Sequence, residues 1–313
     1  MFRTEQATQR VMRKVLLYTE SAQSAALIRR AEELFADGSV RLVKDESKTK
    51  AGFVLDDTGC ARFVKRFEVQ SLGRGLLERL RGSRAARSLK GAELLRGAGF
   101  ARPTPLAAME LRRGGAVERS YLLSEALGQA RTFSAFIDRR TGPAGFSYHS
   151  RAQVLRAVAR EVRRLHDAGL FTSDLQETNL MLEQRPERLQ VYFVDLDGFR
   201  RLRSLAWRLR RRNLVQLDRS VGRFLSYAER LRFLRDYLGG REHAPDGARQ
   251  RQIFAARNER LRMHKLAVEL LRERARKDRA SQRKARYRAL FRTLFCARAL
   301  GPRLGGLRAR CDR

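Results

Sequence analysis

The sequence predicts an α+β fold in three parts: a small β-rich N-terminal lobe over residues 1–127, a mainly helical C-terminal lobe over 128–250, and a basic helical tail over 251–313. Three observations lead there. Short apolar runs between Val40 and Phe67 alternate and are broken by turn residues, as in a meander of strands. The segment Arg151–Ala168 carries its apolar residues at helical spacing. Between these features and the basic tail, Leu165–Gly198 gathers acids and an amide around a short apolar strand.

Taken in order, residues 1–38 mix charge with scattered apolar positions and suggest helix, with no usable motif. Val40–Val43 and Gly52–Leu55 read as strands, Asp56-Asp57-Thr58-Gly59 as a turn, and Ala61–Phe67 as a further strand that carries Lys65. Leu72–Arg87 is rich in Gly and Arg and reads as a mobile basic loop. Ala85–Ala98 reads as a helix stopped by Gly99, with Pro103-Thr104-Pro105 beyond it, and Glu93 is the acid it carries. Glu118–Leu127 reads as a strand running into Gly128, where a hinge between lobes would fall. A short helix and a loop holding Gly142-Pro143 fill Thr132–Tyr148. In Arg151–Ala168, Val154, Leu155, Val158, Val162 and Leu165 share one face, and His166 reads as a packed residue at the helix end.

The chemistry is expected between Leu165 and Gly198. Asp174 precedes Asn179 by five residues, Leu180-Met181-Leu182 follows, and Asp195 closes the strand Val191–Val194. Each residue alone would most simply be a turn residue. Together, an acid, an amide five residues on and an acid after a hairpin are the layout of a kinase centre. In that layout Asp174 is the catalytic base, and Asn179 and Asp195 supply the oxygen ligands that a hard Mg²⁺ ion prefers. Lys65 occupies the position of the strand lysine that grips ATP phosphates, and Glu93 that of its helix-borne ion-pair partner. Lys48–Gly52 falls where a glycine-rich lid would lie, but lacks its glycine pattern. Asp197 reads as a turn acid before Gly198.

Composition bounds the partners. The 313 residues carry 68 Lys or Arg against 34 Asp or Glu, a net charge of +34, which calls for a polyanion such as nucleic acid, an anionic membrane face or a phosphorylated glycolipid. Part of that excess would also fit a general arginine bias. Three cysteines without paired spacing argue against a disulfide framework or a zinc site and fit a reducing compartment. The N-terminal residues show no signal-peptide core and no run reaches membrane-spanning length, so a cytoplasmic protein, soluble or peripherally attached, is expected.

These residues resemble the lipopolysaccharide kinase family, bacterial enzymes that phosphorylate Kdo or heptose in the lipopolysaccharide inner core. The likeness spans roughly Arg41–Leu225 and rests on VKRF (64–67), SRAARSLKGAELLRGAGFARPTPLA (83–107), LHDAGLFTSDLQETNLML (165–182) and FVDLDGFR (193–200), with Asn213–Ser220 as a further matching segment. The resemblance implies a bilobal protein-kinase-like fold, ATP and Mg²⁺ as cofactors, the core glycolipid as acceptor, and the roles given above for Asp174, Lys65, Glu93, Asn179 and Asp195. One departure stands out: Thr172 replaces the histidine that usually lies two residues before the catalytic aspartate and braces its loop.

Two basic segments suggest attachment to the cytoplasmic face of the inner membrane. Arg200–Arg212 carries seven arginines around Leu202, Leu205, Ala206 and Leu209, and reads as a basic amphipathic helix that either packs on the large lobe or meets an anionic surface. Arg251–Arg313 holds 20 Lys or Arg against 5 acids and is expected to be partly helical. The sequence carries no zinc spacing, RNA-binding aromatic motif or helix-turn-helix to support nucleic-acid readout, and no sign of an obligate protein partner. Two alternatives stay open: a small-molecule kinase of the aminoglycoside or choline type, and a non-catalytic pseudokinase or basic nucleic-acid-binding protein.

Overall fold

The computed structural model describes residues 12–138, 148–186, 188–222, 224–238, 268–283 and 285. The chain divides into two compact units, Met1–Gly247 and Ala248–Arg313. In the second, residues 268–283 are helical, with Lys277–Glu273 and Arg274–Asp278 pairs along the helix at 3.5 and 3.8 Å. The rest of the expected tail helix and the Gly142-Pro143 loop lie outside the described residues.

The first unit begins with strand β1 (Met12–Thr19) and helices α1 (Ala22–Arg29) and α2 (Ala31–Ala36). The meander follows as β2 (Arg41–Glu46), β3 (Thr49–Leu55) and β4 (Ala61–Glu68). Helices α3 (Leu72–Arg81) and α4 (Arg84–Gly97) precede β5 (Pro105–Arg113) and β6 (Ala116–Glu125). These six strands form one antiparallel sheet in the order β1-β5-β6-β4-β3-β2.

Strand alternation sets which side chains meet which layer. Val64 on β4, Met109 and Leu111 on β5 and Tyr121 and Leu123 on β6 pack with Leu27, Ile28, Ala31 and Leu34 of α1 and α2. Residues of the other parity, Phe67, Ala108 and Leu122, pack with Ala85 of α4. Lys65 shares parity with Phe67, so β4 sends it to the α4 side of the sheet.

Three elements differ from expectation. β1 and β5 had not been anticipated; β5 is covered on both faces, so its residues from Pro105 to Leu111 are all buried and show no alternation to read. Leu72–Arg87 is not a loop. Ser71 and Ser83 accept hydrogen bonds from Arg74 N and Ala86 N and cap two successive helices, α3 and α4. Gly75 is required within α3 because a Cβ there would lie 2.4 Å from the Val117 carbonyl oxygen on β6.

The remainder of the unit is mainly helical. β7 (Arg131–Thr132) leads into α5 (Phe133–Ile137), and the long α6 (Tyr148–Asp167) follows with Val154, Leu155, Val158, Val162 and Leu165 buried. Then come β8 (Leu170–Thr172), the hairpin β9 (Leu180–Gln184) and β10 (Leu189–Phe193), and β11 (Phe199–Arg201), which pairs with β8. Helices α7 (Trp207–Val221) and α8 (Tyr227–Leu238) complete it. The basic stretch Arg200–Arg212 is therefore not one helix. It starts in β11, turns inward at the buried Leu205, and becomes helical only from Trp207.

Candidate active site

The loop between β8 and β9 presents Asp174, and a one-turn 3-10 helix, Glu177–Asn179, returns Asn179 to it. The Asn179 Nδ2 donates to the Asp174 backbone oxygen and to its Oδ2, both at 3.1 Å. Gln216 on α7 donates to Asp174 Oδ1 at 2.9 Å and to the Ser173 carbonyl at 3.1 Å, and Gln176 also donates to Oδ1. The carboxylate is thus aimed by three neutral amides. The Thr172 hydroxyl accepts from Asp174 N at 3.2 Å.

Behind the loop lies a buried polar chain. Asn213 on α7 donates to the Thr172 carbonyl at 2.8 Å, so its Oδ1 can only accept, and it takes a bond from His166 Nε2 at 3.2 Å. The neutral His166 then accepts the Tyr237 hydroxyl proton at Nδ1, 2.8 Å away. Burial pushes His166 down to about 4, keeping the ring neutral. This chain of bonds ends on the Thr172 carbonyl, so residues of the surrounding helices hold the loop at that position. Neither Asn213 nor Gln216 had been singled out, although both lie in the segment Asn213–Ser220 that carries part of the resemblance.

The second acid lies close by. Val194 N donates to the Asn179 carbonyl at 3.1 Å, which puts Asp195 beside the end of the Asp174 loop. Lys65 reaches across from the sheet: its Nζ donates to the Val194 carbonyl at 3.2 Å and lies 3.6 Å from Asp195 Oδ1. Burial holds the Lys65 ammonium below the ordinary lysine value, against the pull of the Asp195 and Asp197 carboxylates. Helix α4 closes this side. A Cβ on Gly91 would sit 1.9 Å from the Leu196 carbonyl oxygen, so only glycine lets α4 rest on the turn after Asp195.

Four of the five expected residues, Lys65, Asp174, Asn179 and Asp195, are thus brought together. Glu93 is not. It is exposed on α4 and paired with Arg96 at 2.6 Å. The buried face of α4 is Ala85, Ser88, Gly91, Ala92 and Leu95, which leaves Glu93 on the solvent side. Arg84, nine residues earlier and so about half a turn around the helix, occupies the inner side instead. Its Nε donates to Asp197 Oδ2 at 2.7 Å and its Nη1 to Thr49 Oγ1 at 2.9 Å. Arg87 approaches Asp197 at 4.0 Å and Glu78 at 3.8 Å. A cation on α4 paired with Asp197 thus stands where a glutamate paired with Lys65 was expected.

Among the described residues no three His, Cys, Asp or Glu side chains gather as a metal cluster. The donor set nevertheless suits Mg²⁺, which is commonly held by one or two protein oxygens with substrate phosphates and water supplying the others. Asn179 commits its nitrogen to Asp174, so its amide oxygen is the atom that would face a metal, and Asp195 would add a carboxylate.

Comparison with known proteins places the chain in a family. The sequence model of the Lipopolysaccharide kinase (Kdo/WaaP) family matches residues 61–237, more than half of the chain. A 3-deoxy-D-manno-octulosonic acid kinase of Haemophilus influenzae (strain 86-028NP) is 25% identical over 130 residues, 40% of this chain and 50% of the relative. The corresponding kinase of strain PittGG is 26% identical over 125 residues, 39% of this chain and 47% of the relative. The chain therefore spans about half the length of the curated relatives it matches. A solved structure of WaaP in complex with acyl carrier protein superposes with a TM-score of 0.51 at 22% identity, covering 81% of this chain and 99% of that one, a likeness of fold. On the extent of the family match, the chain belongs to the lipopolysaccharide kinase (Kdo/WaaP) family.

Proposed function

We propose that this chain is an ATP-dependent kinase that phosphorylates a sugar hydroxyl, of Kdo or heptose, in the lipopolysaccharide inner core. The observation that carries the reading is the convergence of Asp174, Asn179, Asp195 and Lys65 within the region that matches the family. The curated relatives are named as kinases of 3-deoxy-D-manno-octulosonic acid, which favours Kdo as the acceptor sugar.

Asp174, fixed by its amide donors, orients the acceptor hydroxyl and takes its proton as that oxygen bonds to the γ-phosphorus and the bond to the ADP leaving oxygen breaks. Lys65 holds the phosphates, and its partly desolvated ammonium offsets charge that builds as the leaving oxygen departs. Asn179 and Asp195 would hold Mg²⁺, which when bound neutralises phosphate charge. Asn213 and Gln216 keep Asp174 in line and take no proton.

The setting follows from the acceptor. A core glycolipid is anchored in a bilayer, so the protein works at the cytoplasmic face of the inner membrane, held there peripherally by its basic surface. Among the described residues no helix is long and apolar enough to cross a membrane. Strong basicity disfavours cationic acceptors such as aminoglycosides, whose sites are usually acidic.

The test is transfer from Mg-ATP to lipopolysaccharide of a strain lacking core phosphate, read as a phosphate-sized mass gain in the released core. Because the solved WaaP holds acyl carrier protein, the assay is run with and without it. Gain with the wild type and none with Asp174→Ala or Asp195→Ala is expected. ATP binding without gain under either condition would overturn the acceptor, and absence of Mg-ATP binding would overturn the kinase reading itself.

A further inference from the structure

Helix α3 has an unusual exposure. Leu72, Leu76, Leu77 and Leu80 are 62, 52, 42 and 84% exposed, on a helix whose one buried residue is Gly75. At about 100° per residue these leucines fill one arc on the side away from β6. Arg79 borders that arc on one side, and Arg74 and Arg81 border it on the other, all three exposed. Glu78, the helix's only acid, lies outside the arc and turns inward, where it accepts a hydrogen bond from Arg84 N at 3.3 Å. An apolar stripe rimmed by arginines on both sides is the design of a helix lying in a lipid interface, with leucines in the acyl boundary and guanidinium groups at the phosphates.

We propose that α3 is a membrane-docking helix that seats this protein on an anionic phospholipid bilayer through Leu72, Leu76, Leu77 and Leu80, with Arg74, Arg79 and Arg81 at the headgroups. Charge complementarity selects this occupant. A second copy of the chain would bring two arginine rims together on molecules of net charge +34. A nucleic acid would use the arginines and leave the four leucines in water. An anionic bilayer satisfies both.

The inference adds a surface to those of the basic tail and the Arg200–Arg212 stretch: among the described residues of the three segments α3 carries four exposed leucines, against Leu271 in the tail and Trp207 in the Arg200–Arg212 stretch. It also joins the surface to the site. The inner side of α3 meets Arg84 and Arg87 through Glu78, and Arg84 reaches Asp197, two residues past Asp195. If the acceptor is a bilayer-anchored glycolipid, as the proposed function has it, docking through α3 brings the site to the surface that holds it. Binding itself does not depend on that reading.

The full chain is tested by co-sedimentation with vesicles of phosphatidylethanolamine and phosphatidylglycerol, and with phosphatidylcholine vesicles as the uncharged control. Binding to the anionic vesicles is expected, with Leu76→Ser/Leu80→Ser lowering the partition coefficient at least about tenfold at an unchanged thermal midpoint, because both side chains are exposed in the free protein. A reporter reads the helix directly: with the single tryptophan moved by Trp207→Phe/Leu80→Trp, emission shifts to the blue on the anionic vesicles. Undiminished binding by the double serine variant, or no emission shift, would overturn the proposal and leave attachment to the basic tail. Light scattering that shows a wild-type dimer and a monomeric serine variant would assign the leucine face to a second copy instead. Failure of the kinase assay with vesicle binding intact would count against the proposed function and leave the docking helix standing.

Discussion

The two ends of the candidate site are built from different materials. At the Asp174 end the partners are neutral: the amides of Asn179, Gln216 and Gln176 on the carboxylate, and Asn213 on the Thr172 carbonyl, backed by an uncharged His166. At the Lys65 end they are ions: Lys65 with Asp195, Arg84 and Arg87 with Asp197, and Arg87 with Glu78. Neutral amides fix direction and distance and respond little to salt, whereas partly exposed ion pairs are screened. On the proposed function, the difference teaches that the proton-accepting end would be set by geometry and the phosphate-facing end by a charge balance that a bound nucleotide would redistribute.

The largest expected effect breaks the geometric end. Asp174→Ala should lower kcat by about 10²–10⁴ while leaving the thermal midpoint in place, since a general base contributes on that scale. Retention of activity within tenfold would show that the amides aim Asp174 at nothing chemical. Next comes acid pH. The folded value of His166, about 4, lies below its ordinary 6.5, so the unfolded chain protonates first as pH falls. Stability is therefore whole above pH 6.5 and drains between 6.5 and 4, by on the order of 3 kcal/mol at full protonation. Thermal midpoints across that range should fall more for wild type than for His166→Gln. Equal slopes would mean that His166 is not held neutral.

A smaller effect separates the ionic end. Arg84→Gln should weaken Mg-ATP binding by about tenfold at low salt and flatten its salt dependence, measured by titration calorimetry at several ionic strengths. Tighter binding would mean instead that Arg84 competes with the metal by holding Asp197.

Much of this was legible in sequence because it is local. Asp174 and Asn179 lie in one loop and Asp195 at the end of one hairpin, so spacing alone announces them. The apolar stripe of α6 is equally local, at helical period along a single segment. What stayed hidden depends on contacts across the fold. Asn213 and Gln216 act on residues 41 and 42 positions earlier, and nothing near them in sequence says so. Two glycines and a surplus of arginine disguised α3 as a loop, yet Gly75 is there because β6 leaves no room for a side chain. β5 lacked alternation because helices cover the sheet on both sides.

Glu93 gives the smallest expected effect and the sharpest check on how the ionic end is built. It was chosen as the acid available on α4, and helix phase decides against it. The buried positions of α4 put Arg84 inside and Glu93 outside, and the Glu93–Arg96 pair is open to solvent at both partners. Such pairs contribute little, so Glu93→Ala should leave the thermal midpoint unchanged and kcat/KM within about twofold of wild type. A loss of tenfold or more in kcat/KM, with Mg-ATP present, would require α4 to turn by about half a rotation and bring Glu93 to Lys65 in the loaded enzyme. That turn would carry Gly91 away from the Leu196 carbonyl and press a bulkier residue into the space that only glycine fits. Gly91→Ala separates the two arrangements: it should cripple the protein if α4 stays as it is, and would be tolerated in the loaded state only if the helix turns.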